Sequence, residues 1–258
     1  MPEGDTVFRA AAQLRGALAG RVLTRSDFRV PRYATADLSG QEVTEVVARG
    51  KHLLARTDAG LTVHTHLKME GRWRVQAATE RLGNNFRIRL VLANTQWLAI
   101  GYDLGQVELL RTDREDQVTG HLGPDLLGPD WDAGEAVRRL RADPDRAVGE
   151  ALLDQRNLAG IGNVFAAEIL FLGGVHPWRP AGAVKDVDAL VDLSHRLLQA
   201  NKNRTRRITT GVDSPGQHVW VYGREAKPCR RCGTRIRKGE QGPAGQERIR
   251  YWCPQCQQ

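Results

Sequence analysis

All four cysteines of this chain lie in its last thirty residues, as Cys229-x2-Cys232 and Cys253-x2-Cys256 with twenty residues between the pairs. Each short pair can sit on a tight turn, and the middle residues can form a β-hairpin that brings four thiolates to one point. The spacing suits one tetrahedral, structural Zn2+ ion. Disulfides are the alternative, which a cytosolic chain disfavours, and a redox role would need only one pair. Four protein ligands close the metal's shell, so an ion held this way folds the segment and catalyses nothing.

The 258 residues allow one large or two modest domains plus this appendage. The chain contains no apolar run long enough for a transmembrane helix, and it does not open on a signal peptide. A monomeric cytoplasmic protein, with no membrane partner, is the expectation. The formal charge of +8 is unevenly placed, because residues 201–258 hold 13 Lys/Arg against 4 Asp/Glu while residues 1–200 hold 25 against 26. A basic tail on a balanced body points to a polyanionic partner, nucleic acid first.

The hydrophobic pattern divides the remainder. Thr6–Ala19 reads as a helix capped by Asp5 or Thr6, with an apolar stripe through Val7, Leu14 and Leu18 and a stop at Gly20. From about 21 to 111 short alternating segments, such as Leu61–His66 and Phe86–Leu92, predict an antiparallel β-sandwich. Residues 112–132 read as a charged, turn-rich linker, 133–224 as a helical domain and 225–258 as the finger. Within the helical part, one helix is expected to end near Asn157 and another to start near Asn163, around Gly160-Ile161-Gly162. Glycines there allow close backbone approach, and a helix start suits a phosphate. Inert helical hairpins share that pattern, so the turn alone decides nothing. Similarly, Pro2 alone is either a stiff terminus or, once Met1 is removed, a free secondary amine.

Taken in order, Pro2-Glu3-Gly4, Arg49-Gly50-Lys51-His52-Leu53-Leu54, Gly160-Ile161-Gly162-Asn163, Val221-Tyr222-Gly223-Arg224 and the four cysteines resemble the formamidopyrimidine-DNA glycosylase/endonuclease VIII family. The resemblance spans nearly the whole chain. It implies a multidomain α+β fold with an N-terminal β-sandwich (1–111) opened by a helix, a helix-two-turns-helix domain (133–224) and a four-Cys zinc-finger β-hairpin (225–258). It also implies a bifunctional glycosylase and AP lyase acting on damaged DNA.

The family mechanism maps onto named residues. Pro2 would attack C1′ of a nucleotide turned out of the duplex, forming an iminium and expelling the base. This needs an unprotonated amine, which burial or a nearby cation favours. Glu3 corresponds to the proton donor. Lys51 corresponds to a lysine that contacts DNA phosphate and supports catalysis. Asn163, with the backbone at Gly160 and Gly162, would hold a phosphate beside the lesion. Arg248, five residues before Cys253, matches the arginine at the finger tip that grips phosphates. Arg250 is its neighbour and the weaker match. Met69 would fill the hole left in the stack.

Four features favour the oxidised-pyrimidine, endonuclease VIII-like branch. Asp103-Leu104-Gly105-Gln106-Val107 lacks the Arg and Phe that probe the opposite base in the purine branch. The connection from Thr210 to Val219 is short, and Gly4 stands where the purine branch usually has Leu. The missing Arg and the missing Phe count separately among the four. Glu70, at the position where endonuclease VIII members often carry an aromatic, is instead a departure from that branch and leaves the void-filling set open. An oxidised-purine preference and a non-catalytic lesion-binding protein are the alternatives.

Overall fold

The computed structural model describes residues 2–258; Met1, and with it the expected removal of the initiator, lies outside them. The chain forms two compact units, one ending at His121 and one running from Leu122 to Gln258.

In the first unit, α1 (Gly4–Leu18) is followed by β1 (Arg21–Val22), β2 (Arg25–Phe28), β3 (Glu42–Arg49), β4 (His52–Thr57), β5 (Leu61–His66), β6 (Arg72–Ala77), β7 (Ile88–Ala93), β8 (Trp97–Tyr102) and β9 (Gln106–Arg111). The strands make two sheets, ordered β1-β3-β4-β5-β9 and β2-β7-β8-β6. All their pairings are antiparallel. Inward side chains from both sheets (Val46, Leu53 and Val63; Phe28, Leu90 and Ala99) share one core with Val7, Ala11, Leu14 and Leu18 of α1. The sandwich therefore arises as the alternation requires, and the helical stripe closes it.

The helix starts two residues before its expected position. The Glu3 carbonyl already accepts from the Thr6 and Val7 amides, which makes Glu3 the N-cap, while Asp5 sits inside the first turn and takes the Thr6 amide at 2.7 Å. Strand β7 begins at Ile88, not at Phe86, because Asn85 turns the chain there: its side chain accepts from Arg87 N and its carbonyl from Ile88 N. After β9, α2 (Asp116–Thr119) is fastened to the sheet by Glu115, whose carboxylate takes Arg56 at 2.8 and 2.7 Å and Thr62 at 2.6 Å.

The second unit holds α3 (Ala133–Arg141), α4 (Val148–Ala151), α5 (Asn163–Leu172), α6 (Val187–Asn201), β10 (Arg237–Gln241) and β11 (Arg248–Trp252). Its first turn-flanking helix is shorter than expected and closes at Ala151. The reason is local: the Asp154 carboxylate captures the Arg156 amide at 3.0 Å and both Arg146 and Arg156 guanidinium groups, drawing the backbone out of helical hydrogen bonding. Helix α5 is apolar apart from Asn163 and Glu168 and is buried from Asn163 to Phe171. Phe165, Ile169 and Leu170 join the core of the helical part, while Ala167 and Phe171 join Val221, Ile236, Cys229 and Cys253 in a second core beneath the hairpin. Among the described residues no helix is long and apolar enough to cross a membrane.

Candidate functional site

In the first unit, Pro2 immediately precedes the helix cap and is half-buried, and Glu3 is fully buried. The rigid start of α1 therefore holds both residues. Gly50 and Lys51 form the two-residue connection of the β3–β4 hairpin, where Arg49 pairs with His52 and Gly50 takes φ 57°, a left-handed value that favours glycine. Lys51 thus projects from a hairpin tip, and its charge helps depress His66.

Three loops meet at one end of this unit. Residues 67–71 form a tight turn in which Gly71 N donates to Leu67 O at 2.9 Å; a Cβ on Gly71 would stand 2.4 Å from that oxygen. Met69 lies on this turn and is 63% exposed. The 103–105 loop packs against it, since a Cβ on Gly105 would stand 2.3 Å from Lys68 Cγ. Asp103 N donates to Arg87 O at 2.8 Å, and its carboxylate pairs with the Arg87 guanidinium at 2.7 Å, which ties in the third loop. That loop carries Phe86, 93% exposed. The sequence pattern placed Phe86 in a strand and missed it; the signal was Gly83-Asn84-Asn85, a run of turn formers directly before a single aromatic.

A histidine cluster also went unnoticed in the pattern. His64, fully buried, holds Glu108 Oε2 at 2.8 Å through Nδ1 and His52 Nδ1 at 2.9 Å through Nε2. His52 stacks on His64 with ring centres 5.0 Å apart and meets His66 and His121 edge-on. Burial, reinforced by neighbouring cationic groups, pushes His52 down to about 3 and His66 to about 4, so both are neutral at physiological pH.

In the second unit, Gly160 takes φ 107°, a conformation that L side chains avoid, whereas Gly162 is extended at φ −120°. Gln155 staples this turn, accepting from Gly160 N at 3.0 Å and donating to Leu153 O and Ile161 O at 2.8 and 2.9 Å. Asn163 opens α5 with little exposure; its carboxamide oxygen accepts from Arg250 at 2.7 Å and its nitrogen donates to Ile249 O at 3.0 Å. Arg248 is exposed at the start of β11, paired with Gln241, and Arg250 is buried two residues further on.

The four cysteine sulfurs lie within 4.8 Å of one another. The Cys229–Cys256 and Cys232–Cys253 separations are 3.9 and 3.4 Å. These are too long for disulfides and close to the edge of about 3.8 Å expected for a tetrahedral zinc–thiolate site. Hairpin turns supply the geometry: Cys229 N donates to Thr234 O at 2.8 Å and Gly233 N to Cys229 O at 2.9 Å. The cluster fits a metal ion.

Comparison with known proteins agrees with this architecture. Residues 1–101 match the formamidopyrimidine-DNA glycosylase N-terminal domain and residues 122–209 the formamidopyrimidine-DNA glycosylase H2TH domain. Over its full length the chain is 56% identical to a probable endonuclease 8 2 of Streptomyces coelicolor, covering 94% of that protein. It is 50% identical, again over its full length and 99% of the relative's, to the DNA-(apurinic or apyrimidinic site) lyase Nei2 of Mycolicibacterium smegmatis. A crystal structure of Lactococcus lactis Fpg in complex with DNA containing an abasic site shares the fold, with a TM-score of 0.82 at 24% identity over 99% of each chain. The class is that of DNA-repair glycosylases with lyase activity. The chain belongs to the formamidopyrimidine-DNA glycosylase/endonuclease 8 family.

Proposed function

We propose that this protein excises oxidised pyrimidines from DNA and then cleaves the strand at the resulting abasic site through a Schiff base on Pro2. The observation that carries the reading is the pairing of a proline amine with a fully buried carboxylate, Glu3, at the start of one helix. Curated relatives named as endonuclease 8 support the pyrimidine branch, as does a 103–105 loop whose Leu104 is buried and offers nothing to an opposing base.

The Pro2 nitrogen attacks C1′, the C1′–base bond breaks, and the base leaves with a proton. Glu3 delivers a proton to O4′ as the sugar ring opens to the iminium. The iminium acidifies C2′–H; loss of that proton expels the 3′ phosphate, and a second elimination expels the 5′ phosphate. Hydrolysis of the C–N bond then restores the amine. Lys51, Asn163 with the Gly160–Gly162 turn, and Arg248 hold backbone phosphates, while Met69 and Phe86 occupy the vacated stack. Cys229, Cys232, Cys253 and Cys256 hold a structural Zn2+ ion that, when bound, fixes the hairpin carrying Arg248.

A cleavage panel with dihydrouracil, thymine glycol, formamidopyrimidine and 8-oxoguanine, in duplex and single strand, tests the substrate class. Faster cutting of the purine lesions would reverse the branch assignment.

A further inference from the structure

Arg250 is a cation sealed inside the second unit, at 1% exposure. Each of its nitrogens has a distinct acceptor: Nε donates to Gln241 Oε1 at 2.7 Å, Nη1 to Asn163 Oδ1 at 2.7 Å and Nη2 to Gly149 O at 2.8 Å. None of these acceptors is a carboxylate. Burial lowers the guanidinium to about 10, with Glu150 opposing the shift and Arg248 adding to it, so the group remains charged at neutral pH. Gln241 is held in turn through Nε2 to Pro177 O at 2.9 Å, and Gly149 lies so close that a Cβ there would stand 2.4 Å from Gln241 Oε1.

This arrangement fixes the carboxamide of Asn163. A guanidinium only donates and a backbone carbonyl only accepts, so Oδ1 must face Arg250 and Nδ2 must face Ile249 O. The reversed amide would set donor against donor and acceptor against acceptor. Ile249 O engages one of the two amide hydrogens; the other is the donor for an anion. Without Arg250 the Ile249 carbonyl alone orients the amide, and its donor edge is held less firmly towards that anion.

We infer that Arg250 is a positioning residue for phosphate binding, which locks the Asn163 carboxamide with its donor edge available and sets a buried positive charge behind it. The inference rests on the reading of Asn163 as a phosphate contact. It also makes the metal-bound hairpin and the start of α5 one recognition element, since the lock runs from β11 to Asn163 within the same unit.

A double-mutant cycle tests it, using the full-length zinc-loaded protein and a duplex carrying a reduced abasic site. Arg250→Met and Asn163→Ala should each weaken binding roughly tenfold, the magnitude of one hydrogen bond to a charged group. In the Asn163→Ala background, Arg250→Met should cost less than about twofold, because its target is gone. Arg250→Lys, which retains a donor and a charge, should recover part of the loss. Zinc content and thermal unfolding identify any variant that has lost the hairpin; if Arg250→Met does so, the cycle is run with Arg250→Lys. Full additivity with Asn163→Ala, in variants that keep their zinc, overturns the positioning role alone. Unchanged binding by Asn163→Ala overturns the phosphate reading and the inference with it.

Discussion

The carboxylate of Glu168, in the middle of α5, accepts from the backbone amide of Val221 at 2.9 Å. The same group takes Tyr222 N at 2.9 Å, Trp220 N at 2.7 Å and the Thr209 hydroxyl, and it is fully buried. One side chain thus satisfies three consecutive amides and bends the Val221–Arg224 stretch around α5 towards the finger. Glu168→Gln sets an amide donor against this ring of donors. Unfolding in urea should show a loss of about 3 kcal/mol or more, the scale of several charge-assisted bonds broken in a buried site; a loss within the scatter of surface substitutions would show that the anchor is dispensable.

Metal removal should act on the hairpin before the rest. Cys229 and Cys253 are part of the small core formed with Phe171 and Val221, so the thiolates are both ligands and packing. One zinc per chain is expected by atomic absorption, and Cys253→Ser, at a position with no exposure, should abolish it. Chelation should also weaken DNA binding and make its salt dependence shallower, because the hairpin's phosphate contact is lost. Stoichiometric zinc in Cys253→Ser would contradict the four-thiolate site.

The histidine cluster makes the first unit acid-sensitive. His52 and His66 fall from the ordinary 6.5 to about 3 and about 4 in the folded protein. Between those values and 6.5 the unfolded chain binds more protons than the folded one, so stability falls as pH drops through this window and is retained above it. His52→Gln can still donate to His64 Nε2 without titrating. Its melting temperature should decline less than that of the wild type between pH 6.5 and 4.5; parallel declines would exclude His52 as the source.

Met69 and Phe86 are exposed, so truncating them should leave stability unchanged. Met69→Ala and Phe86→Ala should each lower kcat/KM on a duplex lesion roughly tenfold, in line with one lost base-stacking contact, and have less effect on the same lesion in single-stranded DNA. Equal effects on both substrates would remove them from the stack-filling role.

Where the sequence repeats a physical period, it was readable: the α1 stripe, the strand alternation and the paired cysteines each specify their partner surfaces locally. The departures have local causes too. Backbone capture by Asp154 shortened α4, and the Glu3 carbonyl moved the start of α1. Contacts between distant positions were not readable. Arg250 and Arg248 look alike in the sequence, with the same charge two residues apart, and only packing against Asn163, Gln241 and Gly149 separates the buried lock from the exposed arginine. His52, His64 and Glu108 likewise lie on three strands whose register brings them together.

The most direct measurement of the Pro2 assignment is borohydride trapping on abasic DNA with the mature N-terminus and with one residue retained before Pro2. The mature protein should give a covalent adduct whose DNA-bearing peptide begins at Pro2, and the extended protein should give none. An adduct of equal yield from the extended protein would place the nucleophile elsewhere.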